Sequence, residues 1–136
     1  MTAVFADTFF WIALADLADS AHRRALDFAI ERKKSVIVTT DEVLVEYLTY
    51  FATAHERLRR KAVTHAERIL DDHGVRVVPQ SRESLISGMA LYGARPDKDY
   101  SLTDCISMQT MRKEGLTEVL TNDRHFEQEG FRALFR

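Results

Sequence analysis

Short apolar runs alternate with longer segments of helical spacing along this chain, and such an alternation predicts strands that are each followed by a helix. The runs have the length and the β-branched content of buried strands. They occupy residues 4–6, 35–39, 75–79 and 118–121, with a short edge strand expected at 131–135. The pattern therefore predicts an α/β fold, a three-layer α/β/α sandwich around a mainly parallel sheet.

Helical spacing fills the segments between these runs, and residues that favour helix ends mark their limits. We expect helices to start at Ser20, Thr39, Ser81 and Ser101, and to end at Gly74 and Gly115. In the helix predicted at 55–70, His65 is expected to face outward. The apolar positions expected to face inward in that helix are Leu58, Ala62, Ala66, Ile69 and Leu70.

Two acidic residues directly follow predicted strands, and two lie on helices that are otherwise apolar. Asp7 and Asp123 come at the carboxyl ends of the first and fourth strands, where α/β sheets collect their functional groups. Glu46 stands among apolar residues, and Asp104 lies in the first turn of the helix that Ser101 caps. We expect the four carboxylates to converge at one edge of the sheet.

Two of these acids also have purely structural explanations. Ser101 and Asp104 fit a capping box, in which Asp104 accepts a backbone hydrogen bond and interacts with the helix dipole. Glu46 could instead point to water from a narrow polar strip that includes Glu42 and Thr49. Both explanations fit the pattern, so the contacts of the four acids decide between them.

The four acids together predict a site for a divalent cation. Grouped carboxylates repel one another, and each resists ionising near the others until a cation neutralises them. An all-oxygen ligand set suits Mg²⁺ or Mn²⁺, whereas zinc and copper prefer thiolate or imidazole ligands. With phosphate as the second ligand of such an ion, the site is suited to hydrolysis of a phosphodiester.

Composition narrows the class of protein. The chain has 136 residues, of which 46% are hydrophobic and 29% are charged, so we expect one folded domain over residues 1–136. A single cysteine and the lack of a long apolar run predict a cytoplasmic protein that does not enter membranes. The net charge of −2 does not by itself indicate nucleic-acid binding.

The helix predicted at 55–70 nevertheless carries a basic cluster on its polar side. Arg57, Arg60 and Lys61 belong to this cluster, which could contact RNA phosphates or an acidic partner. An ordinary solvated face remains the alternative, because no aromatic side chain is interleaved there for base stacking.

Four segments in this order and spacing resemble the PIN domain, and within it the VapC-type toxin ribonucleases of toxin–antitoxin pairs. They are Asp7-Thr8 after a hydrophobic strand, Glu46 in an apolar helix, SLTDC at 101–105 and LTNDRHF at 120–126. The resemblance implies a sheet ordered 3-2-1-4-5 and metal-dependent endoribonuclease activity on RNA. It also implies a homodimer and an antitoxin protein whose tail covers the site. The antitoxin, and not this chain, would bind DNA sequence-specifically.

The same resemblance implies roles for individual residues. Asp7 and Asp104 are expected to be the principal metal ligands of a catalytic quartet that Glu46 and Asp123 complete, directly or through water. Asp99 is a candidate fifth acid, although its loop position also suits simple exposure to solvent. The hydroxyl groups expected to orient the carboxylates or their waters are those of Thr8, Ser101, Thr103 and Thr121.

Two other functions are weaker alternatives. A phosphoacceptor domain also begins with a strand that ends in Asp, but the dehalogenase type needs a second acid at position 9, which is Phe here. A receiver domain needs an acidic pair near the amino terminus and a late lysine, where this chain has Asn122 and Asp123. A non-catalytic PIN-like module would hold RNA or a protein without cutting, and the four intact acids argue against it.

Two reactive residue types close to these acids have structural explanations. Cys105 has apolar neighbours and is expected to be a small buried hydrophobe, not a nucleophile. His125 follows Asp123 closely and could touch a phosphate, but a surface histidine or one satisfied in the core is the simpler expectation.

Overall fold

Parallel pairing of the short apolar runs organises the molecule. The computed structural model describes residues 2–32 and 35–136, and no helix in these ranges is long and apolar enough to cross a membrane. The strands in this part of the chain are β1 (Thr2–Ala6), β2 (Ser35–Thr40), β3 (Val75–Val78), β4 (Glu118–Leu120) and β5 (Arg132–Ala133). The helices are α1 (Thr8–Ala15), α2 (His22–Glu31), α3 (Asp41–Tyr50), α4 (Glu56–Asp71), α5 (Arg82–Ala94), α6 (Leu102–Glu114) and α7 (Arg124–Gln128).

The sheet has the order β3-β2-β1-β4-β5, and each neighbouring pair of strands is parallel. This order confirms the one that the family resemblance implies. β1 is the central strand, since Phe5 pairs with Val38 of β2 on one side and with Val119 of β4 on the other. All three side chains are fully buried, which explains why these strands read as apolar runs without alternation.

Three predicted helix ends are confirmed. Ser81 caps α5 through a reciprocal pair of hydrogen bonds with Ser84, and Ser101 caps α6 through the predicted box with Asp104. Gly115 ends α6 in the left-handed conformation, with φ of 71°, which glycine adopts without steric cost.

Two other predicted helix ends are wrong by one or two residues. The N-cap of α2 is Ala21 and not Ser20, because Asp19 accepts a hydrogen bond from the Ala21 N–H at 2.8 Å and sets the turn. Helix α4 has Asp72 as its C-cap, so Gly74 lies in the turn that follows. Both errors are of the size expected when side-chain partners are unknown.

The predicted cap of α3 is also displaced. Thr40, not Thr39, is the N-cap, and its hydroxyl accepts a hydrogen bond from the Val43 N–H at 3.0 Å. Thr39 remains in β2, where its buried hydroxyl donates to the Ala6 carbonyl at 2.9 Å. The sequence does not distinguish these two adjacent threonines as caps. In the structure β2 extends through Thr39 to Thr40, and Thr40 caps the helix.

Helix α4 packs much as predicted, with two corrections. Leu70 is 55% exposed instead of facing inward. His65 faces inward instead of outward, and its Nδ1 lies 2.7 Å from the hydroxyl of Tyr47, which is in the core. Burial, and secondarily the charge of Arg68, lowers the pKa of His65.

Three large apolar side chains of α5 face solvent. Ile86, Met89 and Tyr92 are each more than half exposed, although they share one side of the helix. The side that packs on α6 is the one that carries Gly88, where a Cβ atom would collide with Ile106. Glycine therefore permits close contact between the two helices, and the apolar side of α5 is left as a surface.

Candidate active site

The carboxyl ends of β1 and β4 bring two of the predicted acids together. Ala6 pairs with Leu120, so the residues that follow them leave adjacent strands side by side. Asp7 then becomes the N-cap residue of α1, but its carboxylate makes no capping hydrogen bond. Asp123 is the N-cap of α7, a five-residue helix that the sequence pattern did not predict because it is too short to show a period.

Asp7 is a buried carboxyl group, and the contacts of its two oxygens differ. Its Oδ2 accepts a hydrogen bond from the Thr121 hydroxyl at 2.9 Å. Its Oδ1 is buried and has no hydrogen-bond partner within residues 2–32 and 35–136. Burial, and next the negative charge of Asp104, raises the pKa of Asp7 from 3.8 to about 7, and the charge of Glu46 adds to this. The three carboxylates are therefore near enough to repel one another.

Asp104 combines the capping role with a place among these acids. Its Oδ2 accepts a hydrogen bond from the Ser101 N–H at 3.1 Å, and its own N–H donates to Ser101 Oγ at 3.0 Å. Burial raises the pKa of Asp104, the bond from Ser101 opposes that rise, and the charges of Asp123 and Glu46 raise it further. The capping explanation is thus correct but incomplete.

Glu46 faces the other acids and does not belong to the polar strip. Its Oε1 accepts a hydrogen bond from the hydroxyl of Thr8 at 2.5 Å. Glu42 makes a separate contact, accepting a hydrogen bond from Ser84 Oγ at 2.7 Å, while Thr49 bonds to a carbonyl of its own helix. The contact with Thr8 brings Glu46 to the start of α1.

One hydroxyl group serves two of the acids. Thr121 is fully buried, and its Oγ1 donates to Asp7 while it accepts a hydrogen bond from the Asp123 N–H at 3.2 Å. Asp123 Oδ1 accepts in turn from the His125 N–H at 2.9 Å. The Asp123 side chain is 33% exposed, so it forms the open side of the cluster.

His125 lies against the acids, contrary to the expectation of a surface or core-satisfied residue. Its Nδ1 is 3.2 Å from Asp123 Oδ1 and 3.7 Å from Asp104 Oδ2. Ligand atoms of the three residues all lie within 4.8 Å of one another, a group that could hold a metal ion. The sequence shows only that His125 follows Asp123 by two residues. The structure adds that both residues lie at the start of α7, which places the ring beside the acids.

Other residues predicted for the site lie apart from these contacts. Asp99 is exposed in the loop before α6. Thr103 is in the first turn of α6 and donates none of the hydrogen bonds to the four acids described above. Arg57, Arg60 and Lys61 are exposed on α4, where they line a groove that contains none of the acids.

Cys105 is fully buried beside Asp104, as the sequence predicts. Burial, and next the charge of Asp104, raises the pKa of the Cys105 thiol. A raised pKa disfavours the thiolate that nucleophilic attack requires. Cys105 is therefore a packing residue.

The donor groups at this site fit a divalent metal ion. Asp7 Oδ1 and His125 Nδ1 are both buried without a hydrogen-bond partner among the residues described, and such atoms are costly unless something binds them. The raised pKa values of Asp7 and Asp104 mean that nearby positive charge would stabilise both carboxylates. Carboxylate oxygens are the ligands that Mg²⁺ and Mn²⁺ prefer.

The sequence also matches a family model, that of the PIN domain, over residues 4–131. The chain belongs to the PIN domain family. The matched residues of this PIN domain include all four acids, Thr121 and His125. The site described above therefore lies within the part of the chain that matches the PIN domain.

This PIN domain is similar to the 23S rRNA-specific endonuclease VapC20 of Mycobacterium tuberculosis (strain H37Rv), with 28% identity over 94% of this chain and 95% of that protein. The crystal structure of VapC20, described as a sarcin-ricin loop cleaving toxin, has a TM-score of 0.83 over the same shares of the two chains. VapBC2 from Rickettsia felis, solved with a DNA fragment from its promoter, has a TM-score of 0.70 at 11% identity and covers 97% of each chain. That second likeness concerns the fold alone.

Proposed function

We propose that this PIN domain protein is a metal-dependent endoribonuclease that hydrolyses phosphodiester bonds in RNA and acts as the toxin of a toxin–antitoxin pair. The observation that carries the proposal is the convergence of Asp7, Glu46, Asp104 and Asp123. One buried oxygen of Asp7 also has no hydrogen-bond partner in the described part of the chain. The similarity to VapC20, an rRNA endonuclease described as a toxin, supports the same reaction class.

The four acids would hold Mg²⁺ or Mn²⁺. Asp7 and Asp104 are the proposed direct ligands because both are buried and their pKa values are raised. Glu46 and Asp123 would complete the ligand set directly or through water. A divalent ion bound here would lower the pKa of a water molecule and neutralise the charge that develops on the phosphate.

Hydrogen-bond donors of the chain hold the carboxylates in place for this reaction. The Thr8 hydroxyl, the Thr121 hydroxyl and the Ser101 N–H each donate to a different acid. Because each donor fixes one oxygen, the other oxygen keeps a defined direction. Such positioning matters, since a displacement of about 1 Å can cost on the order of 100-fold in rate.

Structured ribosomal RNA is the proposed substrate class. VapC20 is a 23S rRNA-specific endonuclease, and this chain shares 28% of its residues over nearly the full length of both proteins. The reaction class follows from the acids, whereas the cleaved sequence depends on surface residues that are free to differ. A panel of RNAs is therefore the right starting point for the assay.

A groove between α1, α3 and α4 is the proposed surface for the antitoxin. It has a volume of about 470 Å³. Apolar side chains including Leu14, Phe51 and Leu58 line it, together with the basic residues Arg57 and Lys61. A partner segment that combines acidic and apolar side chains would complement both sets.

The exposed apolar side of α5 is the proposed contact between two copies of this chain. Ile86, Met89 and Tyr92 form a surface that a monomer would leave in water. Contiguous apolar patches of this kind mark interaction sites more often than isolated exposed residues do. Pairing of α5 with α5 in a homodimer would bury the same patch on both subunits.

Cleavage of an RNA panel tests the enzyme assignment. Purified protein is incubated with 23S rRNA, transfer RNA and messenger RNA, with Mg²⁺, with Mn²⁺ or with EDTA. We expect cutting only with metal, and Asp104→Asn should lower the rate at least about 100-fold while its amide oxygen still accepts the capping bond. Asp71→Asn, at an exposed acid at the end of α4, is the matched control and should cut at the unmutated rate.

The outcomes separate the enzyme from a binding module. Equal rates for Asp104→Asn and the unmutated protein would contradict the catalytic assignment. Failure of the folded protein to cut any RNA would favour a non-catalytic PIN-like module. Induced expression in a bacterial host tests the toxin role, since growth should stop with the unmutated protein and continue with Asp104→Asn.

A further inference from the structure

The imidazole of His125 is aimed into the acidic site without a hydrogen bond that accounts for its position. Nδ1 is buried, and it lies 3.2 Å from Asp123 Oδ1 and 3.7 Å from Asp104 Oδ2. Neither contact has hydrogen-bond geometry, and no other group in the described part of the chain bonds to this nitrogen. Both distances are short enough for an ion pair when the ring is protonated. When the ring is neutral, the three atoms face a common region of space without a hydrogen bond between them.

The spacing of these atoms is close to that of ligands around one small cation. Two ligands at about 2.1 Å from an octahedral ion are about 3.0 Å apart when adjacent and about 4.2 Å apart when opposite. The 3.2 Å distance from His125 Nδ1 is close to that of adjacent ligands, and the 3.7 Å distance would have to shorten by about 0.7 Å to equal it. The donor atoms of Asp104, Asp123 and His125 therefore need only small adjustments to share one ion.

The ring of His125 is held by contacts that do not use Nδ1. Its backbone N–H donates to Asp123 at 2.9 Å, and the next residue, Phe126, is fully buried and anchors α7. The ring also meets the edge of Tyr100 at 5.2 Å between centroids, and the Tyr100 hydroxyl is fixed by Glu129 at 2.9 Å. The nitrogen is consequently presented to the acids by a rigid support.

A second unbonded atom at the same site points to a ligand. Asp7 is only 6% exposed, and its Oδ1 has no hydrogen-bond partner among the described residues. The negative charge of Asp104 raises the pKa of Asp7, so the two carboxylates are close to each other. Unbonded oxygen and nitrogen donors thus belong to one connected cluster.

We propose that His125 supplies Nδ1 as a nitrogen ligand to the divalent ion of this site, beside Asp104 and Asp123. The proposal rests on the proposed function only in that the site binds a metal ion. A neutral imidazole adds a donor without adding a fifth negative charge to the four carboxylates. It also shifts the preference of the site from Mg²⁺ towards Mn²⁺ and Co²⁺, which accept imidazole more readily.

Pulsed electron paramagnetic resonance of the Mn²⁺-loaded protein tests this directly. Electron spin-echo modulation reports nitrogen nuclei bound to Mn²⁺, and we expect a ¹⁴N coupling that changes to ¹⁵N when histidine is isotopically labelled. His125→Gln should remove the coupling and weaken Mn²⁺ binding by at least about tenfold, as measured by titration calorimetry. His73→Gln, at an exposed histidine after α4, is the matched control and should retain both.

A second pair of variants separates ligation from packing. His125→Asp offers an oxygen donor and should bind Mn²⁺ within about threefold of the unmutated protein, without nitrogen coupling and with a smaller preference for Mn²⁺ over Mg²⁺. His125→Phe keeps the contact with Tyr100 but has no donor, so it should fold normally and lose the affinity. Circular dichroism checks the fold of each variant.

Absence of nitrogen coupling in the Mn²⁺-loaded unmutated protein would overturn the proposal, as would coupling that persists in His125→Gln. Neither measurement requires RNA. A protein that binds Mn²⁺ through nitrogen but cuts no RNA would leave this inference standing while the proposed function fails. A protein that cuts RNA with no nitrogen coupling would give the opposite result.

Discussion

A single hydroxyl group, that of Thr121, connects two of the four acids. Thr121→Val keeps the shape of the side chain but removes the bond to Asp7 and the acceptor for the Asp123 N–H. We expect Mg²⁺ affinity to fall on the order of tenfold, because groups that orient metal ligands typically have effects of this size. Titration calorimetry measures the affinity, and cleavage should recover in part at high Mg²⁺ concentration.

The control for this variant is another buried threonine. The Thr110 hydroxyl donates to the Ile106 carbonyl of its own helix, at 2.8 Å, so Thr110→Val removes a hydroxyl that does not contact the four acids. Its Mg²⁺ affinity should match that of the unmutated protein. Equal affinity losses in both variants would mean that the effect comes from general destabilisation and not from the position of Asp7.

The raised pKa of Asp7 predicts how stability depends on pH without metal. A carboxyl whose pKa rises from 3.8 to about 7 on folding binds its proton more tightly in the folded state, so the protein loses stability as pH rises through this window. Asp7→Asn should therefore be more stable than the unmutated protein above pH 7, on the order of 2–4 kcal/mol, with little difference near pH 4. Thermal unfolding in EDTA measures this, and a difference that does not vary with pH would contradict the burial argument.

At this scale the sequence identified the acids and three residues that hydrogen-bond to them, Thr8, Ser101 and Thr121, but not the position of His125. Asp7, Glu46, Asp104 and Asp123 were recognisable because charges beside apolar runs are uncommon. His125 was not, since its importance depends on the turn of α7 and on contacts from α6. His65 was assigned to the wrong side of α4 because a histidine reads as polar, whereas its contact with Tyr47 places it inward.

Among the secondary-structure elements, strands were predicted more accurately than helix ends. A buried strand needs only a short apolar run, and each of the five predicted runs overlaps a strand of the described chain. A helix end depends on which of several neighbouring polar residues reaches a free N–H. That choice followed the sequence pattern at Ser81 and Ser101. It followed a local turn set by Asp19 at Ala21, and strand pairing at Thr40.

The exposed side of α5 predicts an effect on assembly. Ile86→Glu places a charge at the centre of the apolar patch, in a side chain that is 59% exposed. We expect the protein to change from dimer to monomer in light scattering coupled to size-exclusion chromatography, since a desolvated charge at such a contact costs several kcal/mol. Thermal stability of the subunit should change little because the position is at the surface of the monomer.

Ile30→Glu is the matched control for assembly. Ile30 lies near the end of α2 and is 60% exposed, nearly the same as Ile86. The two variants add the same charge in place of the same residue. A monomer in both cases, or a dimer in both, would mean that the α5 surface is not the contact between subunits.

At the scale of the whole molecule, strand order explains why distant residues meet. β1 lies between β2 and β4, so residues 7 and 121, far apart in the sequence, leave neighbouring strands together. Periodicity predicted a parallel sheet but could not give this order, because several orders satisfy the same apolar runs. The order came from the resemblance to the PIN domain, which carries information about pairing that a single pattern lacks.

A buried carboxylate, Glu129, joins the end of α7 to two other segments. Its side chain is 4% exposed and accepts hydrogen bonds from Arg95 at 2.8 Å, from Arg112 at 2.8 Å and from the Tyr100 hydroxyl at 2.9 Å. Burial alone would raise the pKa of Glu129, but these three donors outweigh it and lower the pKa from 4.5 to about 2. The loop before α6, the helix that carries Asp104, is therefore bonded to the carboxyl-terminal part of the fold.

Glu129→Gln should destabilise the protein by about 2–3 kcal/mol at pH 7, because the variant keeps a hydrogen-bond acceptor but loses the charge that the two arginines pair with. A lowered carboxyl pKa contributes stability that is complete above pH 4.5 and is lost as pH falls towards 2, so the difference between variant and unmutated protein should shrink in acid. Urea unfolding at pH 7 and pH 3 measures both free energies of unfolding.

The control for this variant is Glu127→Gln, which breaks the exposed pair with Arg136. It should cost less than about 1 kcal/mol of stability at either pH. If the two variants were equally stable at pH 7, the Glu129 contacts would not hold these segments together.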